Sequence, residues 1–410
     1  MLDYKIGVVG PSRIGKTTLM TCVLEAGESL FENTDFSIVA CDDGTEAAIT
    51  INKDELSGAI ISGMTTGFNA SNLGGTVDFR KYNFILKNDE VDVLKLSFLD
   101  FPGGWLKTKP DAWKSECEPH IKDSRILMIP VDSAIIMEAY TPTYKACIPS
   151  LLQIASVENV VRVWAKEQRK VEDDCCIIIA PVKCETYLKN QTKKKDLETS
   201  IRSYYSKALS IAKKELGNKA NSFNIYYCPI NTFGCVELKS FRWIKEDNTY
   251  SYIAEYKTVG LHPQRQQEYA GYILKLIVQT LCGIDQYGKN RKLQDRKQEE
   301  KIAINRINEF QNALDRIEYD ITKKKRIKDN LGFFESIYEW FTNEKQKEID
   351  RLNDQAINVE NGRIQANYDY NEKSSLTKVA ASEYYKVAEI FEYIKNKKVD
   401  NCSSDMTEQI

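Results

Sequence analysis

Over the first 283 residues, short apolar runs alternate with longer segments whose apolar residues recur every three or four positions. The runs Lys5–Val9, Phe79–Leu86, Val93–Leu99, Arg125–Val131, Cys175–Ala180 and Phe223–Cys228 read as strands. The segments Lys16–Glu25, Tyr144–Glu167, Leu197–Leu216 and Gln266–Cys282 read as helices. That alternation predicts an α/β fold, a mostly parallel sheet covered by helices on both faces. The stretch from Phe241 to Tyr256 differs. Two half-apolar runs flank Glu246-Asp-Asn-Thr, which predicts an added hairpin.

The pattern changes from about Tyr287. Glycine and proline nearly vanish, and Lys, Glu, Gln, Asn and Arg dominate. Ala303, Ile307, Phe310, Leu314, Ile317 and Ile321 recur at alternating steps of four and three, the seam of a long coiled-coil helix. Ile349, Leu352, Ala356 and Val359 form a weaker second seam, and Leu376, Ala380, Val387, Ile390, Phe391 and Ile394 mark a third helix. Three amphipathic helices with short connections predict an all-α helical hairpin or small bundle over 287–398. A polar tail, 400–410, is expected to fray. The division is therefore 1–283, 287–398 and 400–410.

Composition removes several function classes. The 410 residues carry a formal net charge of −2, so no global field draws the chain to nucleic acid. Eleven cysteines are scattered without metal-ligand spacing, and the only histidines, His120 and His262, lie far apart. Zinc sites and Cys/His catalysis are not expected. Cys175-Cys176 precedes Ile177-Ile178-Ile179 and reads as buried strand, which suits a reducing cytoplasm. Asp3 and Lys5 interrupt any apolar start, so no signal peptide is expected, and no apolar run is long enough to span a bilayer.

The candidate chemistry begins at Gly10. The run Gly10-Pro-Ser-Arg13-Ile-Gly15-Lys16-Thr17-Thr18 follows the first strand and opens the first helix. Strand, glycine loop and helix in that order are what a phosphate-binding loop requires. Glycines let the backbone fold round an anion with N–H groups pointing inward, and the helix start adds unpaired donors and a positive dipole end. Lys16 is placed to reach β- and γ-phosphates, and the Thr17 hydroxyl to bind Mg²⁺. A second element, Leu96-Ser-Phe-Leu-Asp100-Phe-Pro-Gly103-Gly104, is an apolar strand ending in a carboxylate with glycine three residues later. Asp100 there can support the Mg²⁺ shell, and the Gly103 N–H can bind a γ-phosphate.

With both motifs in hand, the chain resembles the translation-factor class of P-loop GTPases, the class that contains Ras-like proteins. Within it the D-x-P-G-G motif is most similar to bacterial GTPase domains. The resemblance covers 1–283 and excludes the helical part. It implies a P-loop NTPase fold, GTP rather than ATP, Mg²⁺, and a threonine that closes on metal and γ-phosphate, for which Thr76 is the best match and Thr65 and Thr66 the alternatives. It also implies a guanine-reading motif, matched by Val182-Lys183-Cys184-Glu185, with Glu185 where the class has aspartate and Val182 where it has Asn or Thr. A last base-contacting loop is matched by Asn231-Thr232-Phe233.

In Ras-like members a glutamine directly after D-x-x-G orients the attacking water. Here that position is Gly104, followed by Trp105, which implies slow hydrolysis or hydrolysis stimulated by a partner. Arg13 either approaches the phosphates or faces solvent. The expected function is a GTP-binding switch acting through its helical module, by a protein partner or by self-association. The rivals are an ATPase on the same loop, a scaffold that hydrolyses little, and a dynamin-type membrane GTPase. The last draws on Lys323–Lys328 beside the aromatic stretch 331–341, where Phe333, Phe334, Ile337, Trp340 and Phe341 share one helical face. Glu335 and Glu339 disfavour anionic lipid there, so internal packing or a protein contact is preferred.

Overall fold

A computed structural model of the chain describes residues 2–66, 68, 79–105, 109–247, 249–330 and 335–407. Contacts divide it into a first unit, Met1–Asp285 with Ala388–Ile410, and a second unit, Gln286–Val387.

The first unit is α/β. Among the described residues its sheet has eight strands: β1 (Leu2–Val8), β2 (Phe36–Ala40), β3 (Arg80–Asn88), β4 (Val91–Asp100), β5 (Ser124–Asp132), β6 (Cys175–Val182), β7 (Phe223–Tyr227) and, with β8 (Val236–Glu246) and β9 (Thr249–Thr258) lying in a separate hairpin, the short β10 (Ser404–Asp405). Their order is β10-β7-β6-β5-β1-β4-β3-β2. The run β4-β1-β5-β6-β7 is parallel, while β3, β2 and β10 are added antiparallel. Both alternating residue sets of β5 and β6 are buried, so helices cover both faces, and these strands read as continuous apolar runs. One face packs Leu127, Ile129, Ile177, Ile179 and Phe223 against Trp164, Leu197, Tyr205 and Leu209.

After β1 the chain builds β2, β3 and β4 on one side and then crosses to β5 on the other. The carboxyl end of β1 is therefore a topological switch point, where open α/β sheets form their ligand crevice. The Gly10–Thr18 segment lies there.

Several elements differ from the sequence pattern. Residues 43–66 form an unforeseen helix, α2 (Asp43–Thr66), following α1 (Lys16–Leu30). The Asp42 carboxylate starts it by accepting from the Thr45 amide at 2.7 Å, and that bond chiefly holds its pKa below the usual range. The expected helix 144–167 is two, α3 (Pro142–Leu151) and α4 (Ile154–Gln168), because Gln153 at φ 49° turns the chain between them. A further helix, α5 (Gln191–Leu216), follows β6. The hairpin forms as expected from β8 (Val236–Glu246) and β9 (Thr249–Thr258).

The polar tail is not free throughout. Ser404 and Asp405 pair with β7, Met406 is buried, and Lys213 donates to the Thr407 carbonyl at 2.5 Å. The helices predicted separately at 266–282 and from 303 are one helix, α6 (Ala270–Asn330), and the last two predicted helices are also one, α7 (Glu335–Asn396).

Within the second unit α6 and α7 run antiparallel. Lys292 pairs with Glu383 at 3.1 Å, Arg363 donates to Gln311 at 2.7 Å, and Lys324 pairs with Glu348 at 3.0 Å, one consistent register. Ala303, Leu314, Ile349 and Ala380 are buried along it, so the predicted seams pack on each other. The predicted aromatic face falls outside what the structure describes: residues 331–334 are not described, nor are the side chains of 335–342.

His120, in the short helix Glu118–Asp123, is buried, with Nε2 3.2 Å from the Ile6 carbonyl. Burial, the largest cause, pushes its pKa from 6.5 down to about 4. Between those values the unfolded chain takes up a proton that the folded chain refuses. The contribution is complete above pH 6.5 and is lost as pH falls toward 4, amounting to about 2 kcal/mol at pH 5. Denaturant melts at pH 7.5 and pH 5 should show a steeper loss for the native protein than for His120→Asn. Equal losses would dismiss this account.

Candidate functional site

The loop after β1 is built as a cradle. Gly15 precedes α1 at φ 104°, a left-handed conformation that costs glycine nothing. No side chain caps the α1 N-terminus and its first turn holds no acidic residue, so the donors and positive dipole end there suit an anion. Lys16 is buried, and its ammonium donates to the carbonyls of Gly10 at 3.3 Å and Pro11 at 3.1 Å. Burial lowers its pKa, with nearby Asp100 opposing. Thr18 lies on the cleft wall, and Arg13 is exposed at φ 60°.

The end of β4 closes on this loop. Asp100 is buried, and the Thr17 hydroxyl donates to its Oδ2 at 2.5 Å. A hydroxyl and a carboxylate side by side are hard oxygen donors, which fits Mg²⁺. The Gly104 amide donates to Ser12 Oγ at 3.1 Å. A Cβ on Gly103 would stand 2.3 Å from the Pro11 carbonyl carbon and 2.4 Å from both Gly10 O and Ser12 N. The two glycine segments therefore approach backbone to backbone. Trp105, two residues after Gly103, is buried against Phe79, with ring centroids 6.2 Å apart.

A cleft of about 450 Å³ extends from residues 11–18 to the ends of β5, β6 and β7 and to the hairpin. Lys183, at φ 54°, donates to Asp132 Oδ2 at 2.5 Å and to the Arg13 carbonyl at 3.3 Å, tying the β6 loop to the loop after β1. Glu185 is buried. Its Oε1 accepts from the Thr232 amide at 3.0 Å, the Thr232 hydroxyl at 3.1 Å and the Phe233 amide at 3.2 Å. Burial raises its pKa against the pull of those bonds. Glu185 thus supports the 231–233 loop as well as lining the cleft. Asn231 does less than the sequence reading asked: its amide side chain donates to Glu268 Oε2 at 2.5 Å, and its backbone pairs with Glu268, so it anchors the loop from behind.

No family model matches this chain, and no curated protein matches it.

Gly10, Gly15, Lys16, Thr17, Thr18, Asp100, Gly103, Lys183, Glu185 and Thr232 thus gather at the carboxyl ends of the parallel strands. Thr76 lies outside the described residues. Thr65 and Thr66 end α2, and their side chains are likewise outside the description. Asp132 went unnoticed in the sequence. It is buried at the end of β5, where Oδ1 accepts from the Ala134 and Ile135 amides and Oδ2 receives Lys183 and, at 3.3 Å, the Tyr252 hydroxyl. An apolar strand ending in Asp-Ser-Ala was its available signal, that of a helix N-cap. Tyr252 and Tyr256 of the hairpin also line the cleft, and nothing local marked them for it.

Among the described residues no group of three or more His, Cys, Asp or Glu side chains is arranged to hold a metal ion, and no described helix is long and apolar enough to cross a membrane.

Proposed function

We propose that this chain is a GTP-binding switch protein that hydrolyses GTP slowly or with help from a partner. The observation that carries the reading is the single cleft running from Lys16 and Thr17 at the start of α1 to Lys183 and Glu185 at the end of β6. One end suits polyphosphate, and the other offers a buried carboxylate as acceptor for base N–H groups. Thr17 and Asp100 would hold Mg²⁺, which supplies charge neutralisation on the β- and γ-phosphates. Lys16 would exchange its two carbonyl partners for phosphate oxygens. Gly103, already against Gly10–Ser12, is positioned for its amide to respond to a third phosphate. The transmitted change would be movement of the 102–104 segment, which is the kind of order change GTPase switches use.

The position after Gly103 carries no side chain, and Trp105 is buried in apolar packing. Neither orients a water, which favours slow hydrolysis and also keeps open a second reading, a nucleotide-binding scaffold.

Competition titration of a fluorescent GDP analogue with GTP and ATP tests the reading. GTP should displace the probe at least about tenfold better than ATP, a difference of about 1.4 kcal/mol. Tighter binding of ATP would replace the guanine reading, and phosphate release no faster than the protein-free control would favour the scaffold.

A further inference from the structure

We infer that the cleft reads its purine through a single N–H on one oxygen of Glu185 and leaves the 2-amino group of guanine unread. Inosine triphosphate (ITP), which lacks that group, is then as good a ligand as GTP. The inference rests on the proposed GTP reading and sharpens its ligand class to 6-oxopurine nucleotides.

A carboxylate that reads guanine in full turns both oxygens to the base, one for N1–H and one for the 2-amino group. Glu185 does not have both free. Its Oε1 already accepts from the Thr232 amide at 3.0 Å, the Thr232 hydroxyl at 3.1 Å and the Phe233 amide at 3.2 Å. An oxygen has two lone pairs, so three donors fill it. The Glu185 amide adds to the donors around the same carboxylate. At most one acceptor direction, on Oε2, is left for a ligand.

Oε1 is not readily released. Glu185, Thr232 and Phe233 are all buried, so withdrawing Oε1 strands two backbone amides away from water. Stranding one buried donor costs about what one charged hydrogen bond contributes, so the exchange loses more than it gains. The loop is also held from the side of α1. The Thr232 carbonyl accepts from Arg265 Nε at 3.3 Å, and the Arg265 guanidinium pairs with Glu25 of α1 at 2.6 Å.

Among the described residues, the only other carboxylate lining the cleft is Asp132. Its Oδ1 accepts from the Ala134 and Ile135 amides, and its Oδ2 from Lys183 and the Tyr252 hydroxyl. Four donors fill its acceptor sites, so Asp132 does not take over the 2-amino group.

GTP, ITP, ATP and 1-methylguanosine triphosphate are titrated calorimetrically into the native protein with Mg²⁺. ITP should bind within about fivefold of GTP, since no charged hydrogen bond is lost. The 1-methyl analogue, whose N1 carries no hydrogen, should bind more than about fivefold more weakly than GTP, since the one contact is lost. ITP weaker than that margin overturns the inference and leaves the GTP reading standing, because the 2-amino group is then read. The 1-methyl analogue bound within the same margin also overturns it, because Glu185 then reads no N1–H. Tighter binding of ATP than of GTP, or binding of no nucleotide, removes the guanine reading and the inference together.

Discussion

Lys16→Ala should weaken GTP binding by at least a factor of about one hundred while leaving the fold intact. The side chain is the one buried cation in the loop, and its ammonium donates to the uncharged Gly10 and Pro11 carbonyls and lies 5.9 Å from the centroid of the Phe101 ring. A phosphate oxygen is a better partner than either, because it adds an opposite charge on the acceptor to the charge on the donor. Losing two such hydrogen bonds, each worth about 1.5–3 kcal/mol, removes two or more decades of affinity. Burial already lowers the Lys16 pKa, so its charge is carried at some cost in the free protein and would be stabilised by an anion. Without that side chain, two carbonyls lose a donor at the edge of an open cleft, where water replaces it. Calorimetric titration with a circular dichroism check reads both parts. Affinity within twofold of native, in a folded variant, would end the phosphate-loop reading.

The sheet and its parallel core were legible in the sequence because buried central strands must be apolar on both faces. Cys175–Val182 shows this, with every residue buried. The hairpin was legible from its alternation and turn. α2 was not, because Gly44, Gly58 and Gly63 dilute its apolar spacing and its start rests on one aspartate contact. The lengths of α6 and α7 were missed for a related reason. Gly283 and Gly288 in α6 and Gly362 in α7 lie where the apolar pattern changes, so each change looked like a boundary, yet the helical backbone runs through them.

At the site, the parts encoded within a few residues were readable. Gly10–Thr18 and Asp100–Gly103 name their chemistry locally, since backbone conformation and side chain lie in one run. The far wall was not readable, since it is assembled from β5, β6, β7 and the hairpin. Asp132 and Lys183 are 51 residues apart and meet only because β5 and β6 are adjacent parallel strands. Glu185 was singled out as a base reader, yet its three bonds to Thr232 and Phe233 depend on β7 ending beside β6. Pairing of this kind is a product of topology, and a single chain read without alignment carries no trace of it.

Gly103→Ala should cost at least about tenfold in GTP affinity, more than any other single methyl group added to this cleft. At 2.3–2.4 Å from three backbone atoms of residues 10–12, a methyl carbon cannot be accommodated by turning a side chain. Either the 102–104 segment withdraws, breaking the Gly104 amide bond to Ser12, or residues 10–12 shift and take the Lys16 carbonyl partners with them. Both outcomes disturb the cradle, and overpacking of this kind typically costs about 1–3 kcal/mol. The stability loss should therefore be modest and the binding loss large, because the strain is concentrated where the proposed phosphates sit. Gly58→Ala is the control: its Cβ meets nothing within 4 Å on an exposed turn of α2, so it should leave binding unchanged and raise stability by about 0.5–1 kcal/mol. Titration of both variants with GTP and GDP separates the roles of the segment. If Gly103 answers to the third phosphate, the alanine variant loses GTP affinity more than GDP affinity. Equal losses would make it a packing residue only, and undiminished binding of both would remove the 102–104 segment from the switch.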